Sequence, residues 1–126
     1  MKRLPDSELE LMMIIWDAGR PVTRLEIEHQ MPADRQLSAT TVLSFLSRLQ
    51  DKGFVDVYRD GKTNVYEAAV PKEAYLQEES RSIWKRLYQN SVGNFMAALG
   101  SGEELSDEDL DELQDFLDRE RRERGK

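Results

Sequence analysis

The sequence predicts a mainly α-helical chain that carries one small β-hairpin and ends in further helices. Three observations give this class. Between Ser38 and Gly53 the apolar residues Val42, Phe45, Leu46 and Leu49 recur at i, i+3, i+4 and i+7, one stripe of a helix. After Gly53 the period changes to two, in a pair of β-rich runs separated by Asp60-Gly61. From Val70-Pro71 onward the helical period returns, in segments dense with charge.

Taken in order, Pro5-Asp6-Ser7-Glu8 opens a first helix, because proline suits the first turn and carboxylates favour the positive helix N-terminus. Leu9, Met12, Met13 and Trp16 mark its apolar face, widened by Leu11, Ile14 and Ile15, and Gly19 stops it after Ala18. Trp16 reads as a core anchor. Arg20-Pro21-Val22 is a turn. Thr23 and Glu26 then form a capping box for a short second helix, Arg24 to Gln30, with Leu25, Ile27 and Met31 expected inward and His29 on the surface. Residues 31–35 turn again, and Ser38 caps the third helix, which Gly53 ends in left-handed backbone. Phe54, Val55, Val57 and Tyr58 pair across Asp60-Gly61 with Val65, Tyr66 and Ala68, since Asp-Gly between β-rich runs signals a tight hairpin. Three helices with a short second member, followed by a hairpin, make residues 1–70 a winged helix-turn-helix domain.

Opposite the apolar stripe of the third helix lie Thr40, Ser44, Ser47 and Asp51, flanked by Leu43 and Arg48. This face is sterically thin and rich in hydroxyls, a shape that enters a groove and touches base edges or phosphates. Ser38, Thr40, Thr41, Leu43, Ser44, Ser47 and Arg48 are therefore candidate DNA contacts. Arg59, Lys62, Thr63 and Asn64, at the hairpin tip, are candidates for phosphate or the minor groove. A merely solvated helix face is the alternative. The net charge of −7 argues against indiscriminate nucleic-acid binding. Between Arg35 and Asn64 the sign reverses locally: Arg35, Arg48, Lys52, Arg59 and Lys62 oppose Asp51, Asp56 and Asp60.

Residues 71–126 carry 9 basic and 14 acidic groups and read as a helical association domain. From Lys72 to about Asn90 the apolar positions are Tyr75, Leu76, Ile83, Trp84, Leu87 and Tyr88; a second group, Val92, Phe95, Met96 and Leu99, follows Gly93, where a bend is expected. Gly100-Ser101-Gly102 is a flexible break. Ser106 and Asp109 open a last helix with the stripe Leu110, Leu113, Phe116 and Leu117, ended by Arg119, Arg121, Arg122 and Arg124. Helices this apolar have little to bury against in one short segment, so a two-fold homodimer through residues 71–122 is expected. The apolar residues named in these helices, Tyr75 aside, are its candidate interface. Folding back onto the winged domain is the alternative.

Composition excludes other classes. With no cysteine and one histidine, neither disulfides nor a thiolate or histidine metal site is expected. No apolar run reaches the roughly 18 residues of a membrane span, and the N-terminus lacks an apolar signal region, so a cytoplasmic protein without membrane insertion is expected. No catalytic constellation or glycine-rich phosphate loop is present, and no enzyme activity or cofactor is expected.

Residues spread over nearly the whole length resemble the penicillinase and methicillin-resistance repressor family. They include Glu8, Met12, Trp16 and Ile27, and Ser38 to Gly53 is similar to the family pattern Ser-x-x-Thr-Val-x-x-Leu-Leu-x-Arg-Leu-x-x-Lys-Gly. Asp60-Gly61-Lys62, Val65-Tyr66, Glu104-Leu105-Ser106, Asp109 and Glu112-Leu113 extend the likeness. The resemblance implies a dimeric transcriptional repressor on a palindromic operator of double-stranded DNA. It also implies release when a membrane-bound β-lactam sensor protease leads to cutting of an Asn-Phe bond, for which Asn94-Phe95 stands in the corresponding place. Departures lie at Leu37, where the family often has an aromatic residue, and at Thr40 and Leu43, where it often has basic ones. Leu43 suits a thymine methyl instead. A winged-helix protein-interaction module, or a ligand-responsive repressor without cleavage, are the competing readings.

Overall fold

The computed structural model describes residues 1–100 and 105–125. Its elements are α1 (Asp6–Ala18), α2 (Arg24–Gln30), a 3-10 turn (Ala33–Arg35), α3 (Ala39–Asp51), β1 (Val55–Asp60), β2 (Thr63–Ala68), α4 (Lys72–Tyr88), α5 (Val92–Gly100) and α6 (Asp107–Arg124). They form two compact units, Met1–Ser80 and Arg81–Lys126.

In the first unit, α1 to α3 and the hairpin enclose one apolar core. Leu11, Met12 and Ile15 of α1, Ile27 of α2, Val42, Leu46 and Leu49 of α3, and Phe54, Val55 and Tyr66 are buried in it. The helix ends are closed as the sequence reads. Thr23 and Glu26 exchange side-chain and backbone hydrogen bonds in a full capping box. Gly19 and Gly53 take left-handed backbone, φ 65° and 83°. At Gly53 the amides of Gly53 and Phe54 donate to Gln50 and Leu49 carbonyls, a Schellman motif that turns the chain out of α3 into the hairpin. Trp16 packs against the core and donates its indole N–H to the Val70 carbonyl at 2.8 Å.

Four details differ from expectation. Leu25 points outward and is 56% exposed, while Ile27 is buried. The hairpin corner is Gly61-Lys62 rather than Asp60-Gly61, since Asp60 pairs with Thr63 across the strands. Positive φ at Gly61, and not at Lys62, is the pattern of a type II′ turn. The Arg20-Pro21-Val22 turn also adds an antiparallel bridge, with Val22 and Tyr66 exchanging backbone hydrogen bonds of 2.8 and 2.9 Å. Finally, the first turns of α4 fold with the winged unit, so the compact units divide after Ser80 rather than at residue 70. The cause is Tyr75. Its ring lies 5.7 Å from both Trp16 and Phe54, and its hydroxyl accepts from the Leu4 amide at 3.1 Å.

In the second unit, α4 ends in two left-handed residues, Gln89 and Asn90 at φ 45° and 61°. The bend expected at Gly93 therefore lies earlier, and Gly93 sits inside α5. Phe95 packs edge-on against Tyr88 at 5.1 Å and near Trp84 at 6.1 Å. Ser106 and Asp109 cap α6 reciprocally. The expected break at Ser101-Gly102, and Glu104, lie outside the described residues.

Candidate nucleic-acid interface

The outer face of α3 is built by its cap and its stripe together. Burial of Val42, Leu46 and Leu49 rotates Thr40, Leu43, Ser44 and Ser47 to solvent, and all four are exposed. They are spaced at i, i+3, i+4 and i+7 and so form one stripe. Ser38 is occupied differently. Its Oγ accepts from the Thr41 amide at 3.2 Å and lies 2.9 Å from the Thr41 hydroxyl, so both side chains hold the N-terminus of the helix. Arg48 is exposed, with its guanidinium 5.7 Å from the centre of the Phe45 ring, which props it against the helix.

The hairpin places its polar residues beside this face. Arg59 pairs with Asn64 across the strands, and Lys62 occupies the corner. Arg59, Lys62, Thr63 and Asn64 are all exposed. Lys62, Thr63 and Asn64 share a cleft with Leu43 of α3 and with Thr23, Arg24 and Leu25 of the second helix. Leu43 of the helix face and the hairpin tip thus border one cleft.

Its charge is thinner than the sequence implies. Arg35 is paired with Glu10 at 2.7 Å, and Lys52 with Glu8 at 2.6 Å. Arg24 is paired with Glu28 and Arg20 with Glu26; this contact holds the Glu26 carboxyl below its ordinary range. Among the described residues, Arg48 of α3 and Arg59 and Lys62 of the hairpin are exposed and have no ion-pair partner. The Glu8–Lys52 pair is the structural element that sequence reading missed. Glu8 is buried, and its contact ties α1 to the residue that follows α3.

In the C-terminal helices Ile83, Trp84, Tyr88, Phe95, Met96 and Leu113 are half-buried. Leu76, Leu87, Val92, Leu99, Leu110, Phe116 and Leu117 are exposed. Asn94 and Phe95 lie in the first turn of α5, where the Asn94 amide donates to the Ser91 hydroxyl at 3.1 Å.

Residues 4–119 match the penicillinase repressor family. The chain belongs to this family. Penicillinase repressors are DNA-binding transcriptional repressors and not enzymes. The chain is 27% identical over 121 residues to a penicillinase repressor of Bacillus licheniformis, covering 94% of each chain. It is 23% identical over 116 residues to the methicillin resistance regulatory protein MecI of Staphylococcus aureus, covering 92% of this chain and 94% of that one. Among solved structures it resembles the monomeric form of BlaI from Bacillus licheniformis, determined in complex with the blaP half-operator. That likeness has 26% identity and a TM-score of 0.50, over 59% of this chain and 89% of that one. A MarR family protein of Bacillus stearothermophilus shares the fold at 18% identity and a TM-score of 0.52, over 99% of this chain and 78% of its own.

Proposed function

We propose that this member of the penicillinase repressor family binds a palindromic operator as a homodimer, each protomer presenting α3 to the major groove and its hairpin tip to the flanking backbone. The observation that carries the reading is the exposed stripe Thr40, Leu43, Ser44 and Ser47, whose Leu43 lines one cleft with Lys62, Thr63 and Asn64. The solved BlaI complex with its half-operator supports it. In this reading Thr40, Ser44 and Ser47 meet base edges, while Arg48, Arg59 and Lys62 meet phosphates. Ser38 and Thr41 act mainly by fixing the start of α3, whose backbone amides then face the duplex.

Association runs through α4 to α6. Leu87, Val92, Leu110, Phe116 and Leu117 leave apolar surface exposed on three consecutive helices, and a second copy of the chain covers it. Dimerisation makes the second half-site contact intramolecular, which multiplies affinity without new contacts. Release follows from losing that gain. Cutting Asn94–Phe95 severs Phe95 from the helix start that Ser91 caps and frees its packing on Trp84 and Tyr88. We infer that a membrane-bound sensor protease initiates this cut, and that the repressor acts in the cytoplasm, where the operator is.

The test is selection of bound duplexes from a random DNA pool at two salt concentrations. Recovery of a palindrome, with affinity falling steeply as salt rises, is the expected result. No enrichment at either salt overturns the reading in favour of a protein-interaction module, which the net charge of −7 would suit. For release, the fragment ending at Asn94 is sought by mass spectrometry in cells exposed to a β-lactam. Intact repressor alongside derepressed genes would exclude cleavage as the switch.

A further inference from the structure

The exposed large apolar side chains of α1 to α3 are Leu25 and Leu43, at 56% and 45%. They lie on different helices yet line one cleft, together with Thr23, Lys62, Thr63 and Asn64. Arg24, paired with Glu28, and Tyr66 complete the lining. The occupant of such a cleft must offer a small apolar group set among acceptors and negative charge, because two leucines are ringed by hydroxyls, an amide, and a lysine with no ion-pair partner among the described residues. DNA presents one group of this kind in its major groove, the 5-methyl of thymine, which separates thymine from cytosine. We propose that Leu43, with Leu25 beside it, forms a receptor for one thymine 5-methyl group in each half-site, while Lys62 holds a nearby phosphate. This rests on the repressor reading above. It goes further by giving the cleft a ligand and by making base preference depend on a single methyl. Leu25, which the sequence alone assigns to the core, thereby becomes a specificity residue.

Replacing thymine by deoxyuridine removes that methyl and leaves base pairing and phosphates intact. The full-length repressor is titrated against the selected duplex with each thymine replaced in turn. One position per half-site is expected to weaken binding about fourfold, the worth of one buried methyl, with little change elsewhere. The Leu43→Ala protein is expected to bind thymine and deoxyuridine duplexes equally at that position, and Leu25→Ala to show a reduced discrimination. Both residues are exposed, so unchanged thermal melting accompanies these changes. Equal affinity of the unsubstituted protein for every deoxyuridine duplex overturns the inference. So does methyl discrimination that survives Leu43→Ala undiminished. In either case a recovered palindrome leaves the repressor reading standing. Failure to recover any duplex overturns the repressor reading, and this inference with it.

Discussion

Replacing Lys52 by methionine tests whether α3 is held against α1 by charge. Lys52 Nζ lies 2.6 Å from Glu8 Oε1, and the two side chains are 21% and 4% exposed. Removing one partner of a buried pair costs about 3–5 kcal/mol, because the remaining charge has neither partner nor water. Lys52 is partly open to solvent, which places the expected loss near the lower bound, about 3 kcal/mol. In a unit of this size, Met1–Ser80, that corresponds to a fall in Tm of about 12 °C or more. Glu8→Leu combined with Lys52→Met is expected to recover most of the loss, since apolar replacement of a whole buried pair is often neutral. Urea unfolding of the full chain, followed by fluorescence and by circular dichroism, measures all three proteins. A Lys52→Met loss under about 1 kcal/mol is the value of an exposed pair and would refute the reasoning.

Other outcomes follow from the same geometry. Ser44→Glu with Ser47→Glu puts two carboxylates on the exposed face of α3; operator binding should vanish in a mobility-shift assay while helicity stays unchanged. Lys62→Ala should weaken all duplexes alike and reduce the salt slope by about one unit; a loss confined to the selected site would contradict a phosphate contact. Leu87→Asp with Phe95→Asp should give monomers in sedimentation, and a persisting dimer would place the interface elsewhere. The Tyr58 hydroxyl donates to Glu67 at 2.6 Å, which raises its pKa. A raised folded-state pKa stabilises below the unfolded value near 10, and this contribution is lost as pH rises through the folded value. Glu67→Gln should move the phenolate titration, read by ultraviolet absorbance, back toward the ordinary value.

Most of the winged unit was legible in the sequence because independent local signals coincided. For α3 the apolar stripe, the serine cap and the glycine stop all mark the same residues. The capping boxes at Thr23 and Ser106 fix two more helix starts. The misses share a physical cause as well. A seven-residue helix has too few turns for periodicity to choose a face, and Leu25 and Ile27 lie about 200° apart on it, so one of them must face out. Glu8 and Lys52 are 44 residues apart, and each alone reads as a surface charge. Tyr75 fits the amphipathic pattern of α4, but no local pattern says that its ring seats on Trp16 and Phe54. The hairpin corner shifted by one residue because Asp60 extends β1 to pair with Thr63, leaving glycine at the first corner position. On the α3 face and hairpin tip, exposure was legible and free charge was not, since Arg35 and Lys52 are paired with carboxylates of α1.

That internal pairing shapes how the repressor finds its target. Among the described residues, Arg48, Arg59 and Lys62 are the cations of α3 and the hairpin left without an ion-pair partner, in a chain whose net charge is −7. In the proposed dimer these cations would neutralise about six phosphates, enough for a salt slope of about −5 on a fitted site. On unrelated duplex the same few contacts must outweigh repulsion from the rest of the molecule, so encounters there are brief. If the proposed contacts hold, sliding along the chromosome would contribute little, and the search would proceed by dissociation and fresh collision. On the same proposal, little of the repressor pool would be held on the remaining genome, and operator occupancy would track the number of repressor molecules almost directly.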